Sequence, residues 1–81
     1  MIASDKTSTS NSKTTGSVTA NGQSITTTLP CTLEQFLIAQ KLVPRAVVVE
    51  HNGEAVTPSE FSTRSLCAGD RLEIVKIVAG G

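Results

Sequence analysis

An α+β fold, with a mixed sheet of about four to five strands and one main helix packed on one face, is what the sequence predicts. Three observations carry that expectation. The pairs Asn21-Gly22 and Asn52-Gly53 sit between strand-like runs and mark tight hairpin turns. The stretch from Leu33 to Gln40 has helical rather than strand periodicity. Near its end the chain carries a β-branched run, Arg71 to Val78, that reads as a final strand.

Met1 to Gly16 is mostly Ser, Thr, Asn and Lys, with little to bury beyond Ile2 and Ala3. That composition does not offset its own ordering entropy, so residues 1–16 are expected to form a disordered leader. The leader shares a Ser/Thr-rich, acid-poor character with plastid transit peptides, but it is short and lacks Arg, so a plain polar tail is the reading adopted. Folding should start near Ser17. Ser17 to Ala20 is the first strand and Gln23 to Leu29 the second, with Ile25, Thr27 and Leu29 alternating on one face. Pro30-Cys31-Thr32 ends this hairpin. Thr32 and Gln35 have capping-box spacing ahead of Leu33, Phe36, Leu37 and Gln40, which share one helical face. Pro44 is expected to close this helix after about three turns, because it cannot extend the hydrogen-bond ladder.

Ala46 to Glu50 is a continuous β-branched run, as for a strand inside a sheet, and Glu54-Ala55-Val56 is its return across Asn52-Gly53. Thr57 to Phe61 reads as one helical turn that drops Phe61 into the core, and Ala68-Gly69-Asp70 as a turn into the final strand. The order β-β-α-β-β-(short helix)-β is that of a ubiquitin-like β-grasp fold over residues 17–78. In it the first and last strands pair in parallel at the centre and the helix covers one sheet face. Leu72 and Ile74 should then face the helix, and alternation sends Val75 and Ile77 to the opposite face. Ala79-Gly80-Gly81 follows as a flexible tail.

With 81 residues the chain holds one small domain, too small for a complete enzyme pocket. Seven basic and seven acidic residues cancel, no Lys/Arg cluster exists, and the aromatic residues are Phe36 and Phe61 alone, so nucleic-acid binding is not expected. No apolar run approaches the ~18 residues of a membrane span. Met1 to Gly16 has no apolar signal-peptide core, and Cys31 and Cys67 read as free thiols of a reducing compartment, the cytoplasm or a plastid stroma. His51 is the sole histidine, so no metal site is expected. Asp70 reads as a turn former, Cys67 as a surface loop thiol, and Glu54, Glu60 and Glu73 as solvated charges. No catalytic constellation is visible, and the chain is not expected to be an enzyme.

Asn21-Gly22, Asn52-Gly53-Glu54, the run Gly69-Asp70-Arg71-Leu72-Glu73-Ile74-Val75 and the closing Val78-Ala79-Gly80-Gly81 together resemble the ThiS family, the sulfur carriers of thiamine biosynthesis. The resemblance covers residues 17 to 81. It implies that the Gly81 carboxylate is adenylated with ATP by a ThiF-like adenylyltransferase, and that sulfur from a donor such as a cysteine desulfurase then replaces AMP. The resulting thiocarboxylate serves a ThiG-like thiazole synthase. ATP is thus used by the partner, and no cofactor is bound by the chain itself. The residues make chemical sense of this role. A carboxylate is a poor electrophile, and joining it to AMP creates a leaving group that a sulfur nucleophile can displace. Gly80 and Gly81, with Ala79 adding one methyl, can thread a narrow channel. Val75 and Ile77 are the candidate partner surface, unless side chains from Val48 or the linker cover them.

The leader departs from the family pattern, which begins at the first strand. Other readings share parts of the evidence. The small subunit of molybdopterin synthase and a carrier for cysteine synthesis have the same fold and tail but different sulfur acceptors. A ubiquitin-like modifier would pass its glycine to a lysine amine, and a non-covalent β-grasp module would leave the tail idle. A Gly-Gly end alone reads as a frayed or cloning-derived terminus; the strand and motif before it give it meaning.

Overall fold

The computed structural model describes residues 13–77. The elements follow in the expected order, beginning with β1 (Thr14–Ala20) and β2 (Gln23–Leu29), an antiparallel hairpin. Asn21 and Gly22 have φ of +51° and +81°, as the primed turn requires. β1 begins at Thr14, ahead of the expected start at Ser17, and pairs Thr14 with Leu29. Gly16, assigned to the leader by composition, lies inside this strand. A Cβ there would meet Leu29 Cδ1 at 2.9 Å and Ala68 Cβ at 3.2 Å, so glycine permits the loop before the last strand to pack against the hairpin.

After Pro30 comes a two-residue strand, β3 (Cys31–Thr32), which pairs with β6 (Ser65–Leu66) in a small separate ladder that the sequence did not announce. Thr32 caps the helix α1 (Leu33–Ala39) through the expected box. Gln35 N–H donates to Thr32 Oγ1 at 3.0 Å, and Thr32 N–H donates to Gln35 Oε1 at 2.9 Å. The helix has about two turns, not three. It stops before Pro44, because Lys41 takes a positive φ of +65° while Lys41 N–H bonds Ile38 O and Leu42 N–H bonds Leu37 O. That is a Schellman closure with Lys in the place glycine usually fills, so no sequence signal marked it. Pro44 instead opens a 3-10 turn, Pro44–Ala46.

β4 (Val47–His51), β5 (Glu54–Val56) and β7 (Arg71–Lys76) complete a five-stranded mixed sheet in the order β2-β1-β7-β4-β5. β1 and β7 are its parallel pair and lie at the centre, which is the β-grasp arrangement. Phe36, Leu37 and Leu33 of the helix pack on Val18, Val49 and Leu72 of the sheet, and Phe61, from the turn after Pro58–Glu60, closes the same core. Leu72 is buried and Ile74 packs against the core, as alternation predicts. In β4 the expected continuous burial is corrected. Val47 and Val49 are buried, but Val48 points to the open face, because a single helix covers only one side of the sheet.

Candidate functional site

The site is built around β7, the strand that delivers the chain terminus. Residues 71, 73, 75 and 77 turn their side chains to the open face and their backbone groups toward β4, where Ile77 N–H donates to Ala46 O at 2.8 Å. Val75 and Ile77 are 63% and 52% exposed, and Val48, the cross-strand partner of Val75, is 53% exposed. Val48 therefore extends the apolar patch and does not cover it. The sequence missed Val48 because a run of three valines hides the alternation. Ala79, Gly80 and Gly81, with Val78 before them, lie outside the described residues.

The patch has a polar border. Glu50 and Glu73 are cross-strand partners on the same open face, both exposed, and neither is in an ion pair among the described residues. Like charges placed directly opposite each other destabilise the pair. The surface thus offers apolar contact beside the strand exit and negative charge one rung further away.

The other chemistry-bearing residues converge at the opposite end of β7, in an arrangement scattered too widely in sequence to be read from it. His51 is 7% exposed. Its Nε2 lies 2.7 Å from Asp70 Oδ2, and Arg64 Nε donates to its Nδ1 at 3.0 Å. Nδ1 is thus the acceptor and Nε2 the proton-bearing nitrogen. An Asp–His pair invites comparison with a catalytic triad, but the ring nitrogen that would take a nucleophile's proton is filled by the Arg64 guanidinium. Arg64 also binds Glu54 and Glu60, so these carboxylates, expected to be merely solvated, anchor its far end. The hydrogen bond and charge of Arg64 lower the Glu54 carboxyl below its ordinary range.

Asp70 does form the turn into β7, accepting from Cys67 N–H at 2.9 Å and from Asn52 Nδ2 at 3.3 Å. Burial pushes its carboxyl up, but the Cys67 N–H, His51 and Asn52 outweigh burial and hold it below the usual carboxylate range. The sign of the linkage follows. A depressed folded value contributes stability that is complete above the unfolded Asp value near ~3.9 and is lost as pH falls through the folded value. Asp70→Asn is therefore expected to lower stability at neutral pH and to flatten its decline below about pH 4. Urea midpoints measured across that range check this, and parallel curves for both proteins contradict it.

Cys67 is exposed and Cys31 partly buried, both as free thiols, and burial pushes the Cys31 thiol up. Among the described residues no set of three potential ligands could hold a metal ion, and no helix is long and apolar enough to cross a membrane.

Comparison with known proteins gives three results. The ThiS family model matches residues 17–81. Nothing among curated proteins matches. Among solved structures, the crystal structure of the thiamine biosynthesis protein (ThiS) from Geobacter metallireducens is 28% identical with a TM-score of 0.70, covering 80% of this chain and 99% of that one. An NMR solution structure of a thiamine biosynthesis protein from the same organism is 28% identical with a TM-score of 0.68, covering 80% of this chain and 87% of that one.

Proposed function

The chain belongs to the ThiS family, and from that premise we propose that it is a sulfur carrier of thiamine biosynthesis, a protein co-substrate whose reacting group is the Gly81 carboxylate. The observation that carries this reading is the family match over residues 17–81, which includes Ala79-Gly80-Gly81. In the reaction a Gly81 carboxylate oxygen attacks the α-phosphorus of ATP on a ThiF-like adenylyltransferase, and pyrophosphate leaves. The terminal sulfur of a persulfide, supplied by a donor such as a cysteine desulfurase, then attacks the acyl carbon and AMP leaves, giving an acyl disulfide. A second thiol of the partner attacks the S–S bond, which frees the thiocarboxylate and leaves a disulfide behind on the partner side. The thiocarboxylate hands its sulfur to a ThiG-like thiazole synthase. The body of the carrier contributes no acid, base or metal to these steps. It contributes a folded handle and a slender end.

Geometry supports that division of labour. Four residues beyond Ile77 reach at most ~14 Å, so the partner's active site must lie close to the surface on which the body docks. Val48, Val75 and Ile77 are the apolar surface nearest the strand exit, and their exposure suits docking better than monomer stability. Glu50 and Glu73 beside them suit a partner that places basic side chains there.

The test is ATP–pyrophosphate exchange catalysed by the adenylyltransferase, which should require this chain. Replacing Val75 and Ile77 together by Asp should raise the KM for the carrier by at least ~10-fold, because two anchors of a small interface are lost. Thermal unfolding should fall only modestly, since both positions are exposed and the cost is that of Asp in a strand beside Glu50 and Glu73. Exchange that proceeds equally well with the double variant removes the patch from the account.

A further inference from the structure

The last strand is held along both edges, and the two holds are unequal. On the β4 side the ladder runs from His51–Leu72 to Val47–Lys76, and Ile77 adds one bond more. On the β1 side the parallel ladder pairs only Thr19 with Arg71 and Ala20 with Leu72, because β1 ends in the Asn21-Gly22 turn. From Glu73 to Lys76, β7 runs on past its parallel partner. The side chain of Asn21 fills part of that gap. Asn21 N–H donates to Leu72 O at 2.9 Å, Ile74 N–H donates to Asn21 Oδ1 at 2.7 Å, and Asn21 Nδ2 donates to Ile74 O at 3.0 Å. A carboxamide carries the donor and acceptor of a peptide unit, so Asn21 supplies one further rung after the strand itself has turned away.

We propose that Asn21 is a positioning residue for the C-terminal tail: by gripping Ile74 on the edge that β1 leaves open, it fixes the direction in which the chain leaves the sheet. This rests on the carrier reading above. Ile74 stands seven positions before Gly81 (81 − 74). With the grip in place the strand end is held at both edges up to Ile74. Without it, everything after Leu72 is held by β4 alone, and the exit samples a wider cone. Entry into a partner's channel must then supply the order that the grip supplies beforehand. A tail already seated in the channel is ordered by the channel, so the effect falls on KM and spares kcat.

The second Asn-Gly turn is an internal control. Asn52 has nearly the same φ, +52°, and its Oδ1 accepts from Arg71 N–H at 2.8 Å, at the start of β7 and far from the exit. Glycine adopts positive φ at either position without strain, so Asn21→Gly and Asn52→Gly keep their turns and lose only a carboxamide. Two readouts on the full chain separate the possibilities: amide 15N order parameters at Lys76 and Ile77, and steady-state adenylation by the activating enzyme. Asn21→Gly should lower the order parameters and raise KM about five- to twenty-fold, as expected for two neutral hydrogen bonds, with kcat unchanged. Asn21→Asp keeps the acceptor for Ile74 N–H and should fall between. Asn52→Gly should alter neither readout. Unchanged order parameters and KM in Asn21→Gly, or an equal rise in Asn52→Gly, overturns the proposal. If the unaltered chain is not adenylated at all, the carrier reading falls and the delivery role with it, while the order parameters still decide whether Asn21 holds the strand end.

Discussion

Deleting Gly81 is expected to abolish loading of the chain, with no change in its thermal unfolding. The deletion withdraws the carboxylate by ~3.5 Å and puts it on Gly80. Misplacing a reacting atom by even ~1 Å can cost ~10²-fold in rate, so the shortened chain should be adenylated at least that much more slowly. Gly81→Ala and Gly80→Val keep the length and add a side chain where a narrow channel leaves no room, so both should be impaired to a lesser degree. Among the described residues the buried core runs from Val18 to Leu72, and deleting a terminal glycine removes no side chain from it, which is why stability should not respond. Single-turnover formation of the adenylate, read beside a melting curve, checks both halves. A deletion variant that loads normally would show that the terminal carboxylate is not the reacting group.

Phe36→Ala should have the largest effect on the fold. Phe36 is 1% exposed and is the largest of the fully buried side chains. Removing a buried phenyl ring typically costs ~3–5 kcal/mol, partly as lost burial and partly as the cavity left behind. A domain of this length has only ~4–12 kcal/mol to lose at ~0.05–0.15 kcal/mol per residue, so the variant should be at least partly unfolded at 37 °C. Ile38→Ala on the same helix is the control, because Ile38 is 58% exposed. It should shift stability by no more than ~0.5 kcal/mol. Urea denaturation followed by circular dichroism compares the two. Equal midpoints would mean that the helix does not pack by the face containing Phe36.

The parts of this fold that were legible are those governed by short-range chemistry. Asn21-Gly22 and Asn52-Gly53 can each satisfy their φ requirement only in a tight turn, and Thr32 with Gln35 completes a cap within one helical turn. The alternation that buries Leu72 and exposes Val75 is likewise local. What was not legible depended on partners distant in sequence. Gly16 reads as leader by composition and belongs to β1 because β2 is long enough to pair with it. The helix ends early through a lysine at positive φ, a choice no propensity favours. Val48 is exposed because of what does not cover it. The Asp70–His51–Arg64 array draws on three loops and strands, and the carboxamide of Asn21 reaches a residue 53 positions away. The reading of the tail rests on the terminal carboxyl and on the absence of side chains at Gly80 and Gly81, and the loading experiments test it.

The most direct measurement is the intact mass of the full chain after incubation with its adenylyltransferase, ATP and a sulfur donor, followed by fragmentation. A mass gain equal to the exchange of one oxygen for one sulfur is expected, located on the peptide that ends in Gly81 and dependent on ATP. An unchanged mass under conditions where the adenylyltransferase is active, or sulfur found on Cys31 or Cys67 in place of the terminus, would contradict it.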